Sequence, residues 1–160
     1  MSQLRIPIVT HRFTCASYYP FEVIYLDHIG PLTADVHGNK FILVLIDAFS
    51  IWVELFTTKT TNAIESASCM LQQFGRFGTP EVVHTDRGIA FHKELIAELL
   101  HVAGTKQSLT TEFSKEVLRH LNAILFDSRV HCKWSYEQLP MMQCIMNTVE
   151  KTSTGVTPRN

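Results

Sequence analysis

No stretch of this sequence stays hydrophobic for long. The longest apolar run, Phe41 to Ile46, falls far short of the roughly 20 residues that a membrane-spanning helix needs. Met1 to Thr10 holds a single Arg and no apolar segment of signal-peptide length, so these residues are not expected to act as a leader. These absences predict an intracellular chain without membrane contact. Cysteine is sparse. Cys15, Cys69, Cys132 and Cys144 are scattered, without a Cys-x-x-Cys pair, which argues against a zinc site and against a disulfide framework. There is no repeat and no low-complexity tract, so neither a solenoid nor a disordered array is expected. Positive charge has no surplus: 14 Lys and Arg face 15 Asp and Glu, for a net charge of −1. A free-standing nucleic-acid binder normally carries a basic excess. A nuclease-like core is not excluded, because its active site is acidic by necessity.

What is present is ordinary globular material. A chain of 160 residues that is 46% hydrophobic and 10% aromatic suffices for one domain with a buried core. The expected spans are an irregular lead-in over 1–20, a folded domain over 21–147 and a frayed tail over 148–160. Alternation from Phe21 to Ile29 predicts a strand that Gly30-Pro31 ends. After a turn at 35–39, the run Phe41 to Asp47 and the alternation Ile51 to Thr57 complete an antiparallel meander. Spacing of Ile64, Ala67, Met70 (or Leu71) and Phe74 predicts a helix over 61–77, closed by Gly78-Thr79-Pro80. Glu81 to Thr85 reads as a short buried strand. Phe91 to Ala103 reads as an amphipathic helix with Leu95, Ile96, Leu99, Leu100 and Ala103 on one face and Gly104 as its C-cap. Lys106 to Thr110 is a last strand, followed by helices over 115–126 and 135–147, the second kinked or split by Pro140. The order β-β-β-α-β-α-β-α-α predicts an α/β domain: a mixed sheet of five strands with helices on its faces.

Two acids stand where chemistry is possible. Asp27 follows Tyr25-Leu26 in the first strand, and Asp86 follows Val82-Val83-His84-Thr85 at the end of the fourth. A carboxylate in apolar surroundings is costly unless a cation or a donor meets it. Were the first and fourth strands neighbours, the two would converge on one rim, repel each other, and favour a divalent ion with a taste for hard oxygen ligands, Mg²⁺ best. A strand-terminal Asp is also a common turn or helix cap, and Asp47, before Ala48-Phe49-Ser50, is assigned to that role. Trp134 and Tyr136 read as core or helix-start packing.

Several strings, in order, resemble a known family. They are Asp27-x-Ile-Gly-Pro, the segment from Gly38 to Glu54, His84-Thr85-Asp86-Arg87-Gly88-x-x-Phe91, the segment from Lys133 to Pro140, and Thr154-Gly155-Val156-Thr157-Pro158. Together they look like the integrase catalytic core of Ty3/gypsy-type retroelements, over nearly the whole of 21–158. The resemblance implies an RNase H-like fold, Asp27 and Asp86 as catalytic and metal-binding residues, Mg²⁺ or Mn²⁺ as cofactor, and DNA integration by polynucleotidyl transfer. It also implies DNA as partner, a homodimer or higher oligomer, and a nuclear setting. Arg87, Lys93, Lys115 and Arg119, with Lys106, are the candidate contacts to a nucleic-acid backbone.

One departure bears on activity. The family's third acid is a Glu, and the matching position counted from Asp86 is Asn122. The family's passage after Thr110-Thr111-x-Phe113-Ser114 is also cut short, consistent with an internal deletion of about eleven residues. At about 100° per residue such a deletion turns the helix only about 20° past three full turns, so its apolar stripe keeps its face while about 16 Å of helix is lost. Glu116 is the possible substitute carboxylate. It falls about five residues past the usual acid, roughly 7.5 Å along the axis and about 140° around it, which points it away from the pair. The expected protein is therefore an integrase-type strand transferase with impaired catalysis. Two other readings stay open: a non-catalytic module binding protein or DNA, and a decayed element fragment.

Overall fold

The computed structural model describes residues 17–86, 91, 93–109 and 134–148. Its elements are β1 (Val23–Ile29), β2 (Phe41–Asp47), β3 (Val53–Thr58), α1 (Ala63–Phe77), β4 (Val82–Thr85), α2 (Glu94–Val102), β5 (Lys106–Leu109), a π-helical turn (Trp134–Gln138) and α3 (Leu139–Thr148). The expected helix over 115–126, the lead-in before Ser17 and the tail after Thr148 lie outside the described residues. The strands form one mixed sheet in the order β3-β2-β1-β4-β5. Pairs β1–β2 and β2–β3 are antiparallel, whereas β1–β4 and β4–β5 are parallel. The expected meander and the two added strands are all there.

Both faces of the sheet are covered, and the alternation of the strands sorts residues between them. Val23, Tyr25 and Ile29 of β1 join Ile42, Val44 and Ile46 of β2 in a core closed by Trp134, Leu139 and Met142. Ile24 and Leu26 join Leu43 and Leu45 on the other face, under Ala67, Met70 and Phe74 of α1 and Ile96 and Leu100 of α2. That is why β2 reads as an unbroken apolar run: it is buried on both sides.

Local chemistry sets the ends of the elements. Asn62 caps α1 by accepting from Glu65 N at 2.9 Å. The Glu65 carboxylate reaches back to the amides of Lys59 and Thr60. The buried face of α1 runs through Ser66, Ala67, Met70, Gln73 and Phe74, so Ile64, expected on that stripe, falls about 120° off its centre and is exposed. Leu95 of α2 is likewise exposed, leaving Ile96 and Leu100 as the buried pair. Gly30 has φ +133°, and a Cβ there would meet Lys40 O at 2.7 Å, so the β1–β2 connection requires glycine. Asp47 holds the turn after β2 as expected, its carboxylate accepting from Ser50 N at 2.9 Å and Phe21 N at 2.9 Å.

The C-terminal segment is bound to the sheet by polar side chains as well as by burial. Trp134, fully buried, donates from Nε1 to Thr33 O at 2.8 Å, which fits its expected packing role. Tyr136 instead is exposed and meets the His37 ring edge-on. Pro140 falls at the second residue of α3, where a missing N–H costs little, and the turn before it is π-helical. Along β3 the Asn147 side chain bonds both Val53 N (2.8 Å) and Val53 O (2.9 Å), and Gln143 Oε1 accepts from Leu55 N at 3.0 Å.

Candidate active site

Asp27 and Asp86 come from neighbouring parallel strands. The β1–β4 register ends at Leu26 opposite Thr85, and one further step along both chains sets Asp27 beside Asp86. Alternation sends Asp27 to the same face as Tyr25, whose ring stacks on His84 at 4.9 Å and 18°. That stacked pair sits one tier below the two acids. Burial pushes the Asp27 carboxyl up to about 6, the charge of Asp86 pushes in the same direction, and the His28 amide, donating to Asp27 Oδ1 at 2.7 Å, partly opposes both. The charge of Asp86 acts on Asp27 in the direction that a shared rim predicts.

On the other face, the residues beside the acids form a bracket that the sequence did not reveal. His28 bonds Ser66 Oγ through Nε2 at 3.3 Å and stacks on Phe91 at 4.9 Å. Burial pulls the imidazole down to about 4, against the opposing charges of Asp86 and Glu65. Phe91 is buried, and its carbonyl accepts from Gln107 Nε2 at 2.9 Å. The same Nε2 donates to Thr85 Oγ1 at 3.2 Å. The β4–β5 register sets Gln107 across from Val83, and its side chain reaches diagonally to Thr85; a lone Gln in Lys106-Gln107-Ser108-Leu109 carries no such signal in sequence. His84 lies deeper, lowered by burial, and neither of its ring nitrogens has a hydrogen-bond partner among the described residues.

Of the candidate nucleic-acid contacts, Lys93 is exposed at the N-cap of α2, two residues past Phe91, and so stays at the Asp27 end of the sheet. Lys106 does not. It pairs with Val82, at the far end of β4 from Asp86, because parallel β5 begins where β4 begins. Arg87, Lys115, Glu116, Arg119 and Asn122 lie outside the described residues. No group of three or more His, Cys, Asp or Glu able to hold a metal occurs among the described residues, and no helix there is long and apolar enough to cross a membrane.

A five-stranded mixed sheet in this order, with one carboxylate within β1 and another just past the end of adjoining parallel β4, defines the RNase H-like class of α/β domains. Within that class, the integrase core domain model matches residues 19–115, and the chain belongs to the integrase core domain family. Retroviral polyproteins are its relatives: it is 31% identical over 119 residues to the Gag-Pol polyprotein of koala retrovirus, covering 74% of this chain and 6% of that protein. The Pro-Pol polyprotein of simian foamy virus type 3 is 28% identical over 152 residues, covering 87% of this chain and 13% of that protein. The chain thus spans a small part of the curated relatives it matches. Among solved structures, the integrase catalytic core domain of HTLV-2, in complex with magnesium in a trimeric form, matches with TM-score 0.64 and 21% identity, over 88% of this chain and 95% of that one. That likeness bears on the fold.

Proposed function

We propose that this chain is the core of an integrase of Ty3/gypsy type, built for divalent-metal-dependent DNA strand transfer and impaired in it by the loss of the third acid. The observation that carries the reading is the Asp27–Asp86 pair. Two carboxylates on adjoining parallel strands, one raised to about 6 by burial and by the other's charge, are a site at which a cation relieves repulsion. Their donor chemistry fits Mg²⁺ or Mn²⁺: hard oxygens, few in number, with room for water to complete the shell. A divalent ion held there would activate a water or a 3′-hydroxyl and stabilise the leaving oxygen. The chain's own part is to hold two oxygen donors at a fixed separation, keep Asp27 ionised once the charge is met, and present Arg87, Lys93, Lys115 and Arg119 to a phosphate backbone. Asn122, in place of an acid, offers a neutral and weaker ligand. A homodimer or higher oligomer and a nuclear setting belong to the same reading, and the strings from Gly38 to Glu54 and from Lys133 to Pro140 support the lineage.

The test is Mn²⁺ binding by calorimetry alongside strand transfer on labelled DNA ends. The parent chain is expected to bind Mn²⁺ weakly, Asp27→Asn and Asp86→Asn to lose that binding, and Glu116→Gln to retain it. Strand transfer is expected to be negligible throughout. Turnover by the parent that Asp86→Asn abolishes would overturn the claim of impairment. Loss of binding in Glu116→Gln would make Glu116 the substitute acid.

A further inference from the structure

We infer that Gln107 is a positioning residue for Asp86, acting through Thr85 and Phe91. The inference rests on the reading of Asp27 and Asp86 as a divalent-metal pair. A primary amide nitrogen has two hydrogens, and Gln107 Nε2 has two acceptors: Thr85 Oγ1 at 3.2 Å, next in the chain to Asp86, and Phe91 O at 2.9 Å. These contacts lie on both sides of Asp86 in sequence. Phe91 is in turn fixed against the other acid's strand, its buried ring stacked on His28, the residue after Asp27. His28 is tied to α1 by Ser66 Oγ, which itself donates to Asn62 O at 2.9 Å. Phe91 therefore joins the strand that carries Asp27 to the chain that follows Asp86, and Gln107 holds Phe91 from the far side of β4. Metal ligands need such support, because a carboxylate free to swing loses affinity for the ion.

Gln107 is well suited to a clean test because it is exposed on β5, so replacing it removes hydrogen bonds without opening the core. Gln107→Glu keeps the shape but exchanges the donor for an acceptor facing the Phe91 carbonyl. Gln107→Met keeps the stem and removes the donor, and serves if the Glu variant does not fold. The full chain is titrated with Mn²⁺ alone, and amide exchange is followed at Thr85, Asp86 and Phe91, with Leu45 and Ile46 as core references. Both variants are expected to bind Mn²⁺ about tenfold more weakly than the parent, with faster exchange at Thr85, Asp86 and Phe91 and none at the references. Parent-like Mn²⁺ affinity and exchange overturn the inference, as does faster exchange spread equally over the core, which marks a merely structural role. If the parent binds no Mn²⁺, the metal reading fails by itself, and the exchange arm still decides: acceleration confined to the three sites upholds Gln107 as the clamp, and its absence removes it.

Discussion

Asp27 and His28 are chain neighbours whose ionisation equilibria pull stability in opposite directions. The Asp27 carboxyl rises from 3.8 to about 6 on folding, so the native state holds the extra proton between those values. Its contribution is fully present below about pH 4 and is lost as pH rises through 6. The His28 imidazole falls from 6.5 to about 4, so its contribution is present above pH 6.5 and is lost as pH falls toward 4. Over pH 4 to 6.5 the two offset each other. Asp27→Asn is expected to stabilise the fold by about 1–2 kcal/mol at pH 7.5, after discounting for the partial exposure of Asp27, and to give nothing at pH 3.5. Urea midpoints at the two pH values check this, and equal gains at both would be against it. Asp27 and Asp86 stood out in sequence because of the family-like strings around them, since Asp47 also follows an apolar run and only holds a turn. His28 and Gln107 did not, since their partners, Ser66 and Phe91 for one and Thr85 and Phe91 for the other, are brought near only by the fold.

Helix α1 starts where its cap says, not where its apolar spacing says. The 3-4 spacing from Ile64 placed the start at 61, whereas Asn62 caps and Ala63 begins the helix. Asn62→Ala removes the acceptor of the Glu65 amide and is expected to cost about 1 kcal/mol, read as a lower urea midpoint at unchanged slope. Spacing also misassigned Ile64, because several polar residues, Ser66 and Gln73 among them, occupy the buried face and a hydrophobicity pattern cannot see them. For α3, Pro140 correctly marked a break, but nothing in sequence announced that Asn147 would bond a strand. Asn147 is buried, and Asn147→Ala leaves Val53 N and Val53 O without their partners. A loss of about 2–4 kcal/mol is expected, larger than for Asn62 and visible in the same denaturation experiment.

At the level of the whole molecule, order and sheet type were legible because short connections force the meander and a helix between strands forces the parallel pairs. What pattern could not place was Lys106, whose end of the sheet is fixed only by register. A ligand that binds only the folded pair of acids stabilises the entire domain by mass action. Mn²⁺ at tenfold above its dissociation constant is expected to add about 1.4 kcal/mol, a rise of a few degrees in Tm at pH 7.5 that Asp27→Asn abolishes. A rise retained in that variant would move the metal elsewhere. The amides of Gln143 and Asn147 have a wider consequence. They occupy three of the backbone groups that β3, first in the sheet order, turns away from β2, namely Val53 N, Val53 O and Leu55 N, where a neighbouring strand would otherwise bond. A strand left open at a sheet border is a template on which another molecule can crystallise its own backbone. Gln143→Leu with Asn147→Val is therefore expected to make a protein whose light scattering grows with concentration and time, while each molecule keeps its fold: colloidal stability here is written in two carboxamides.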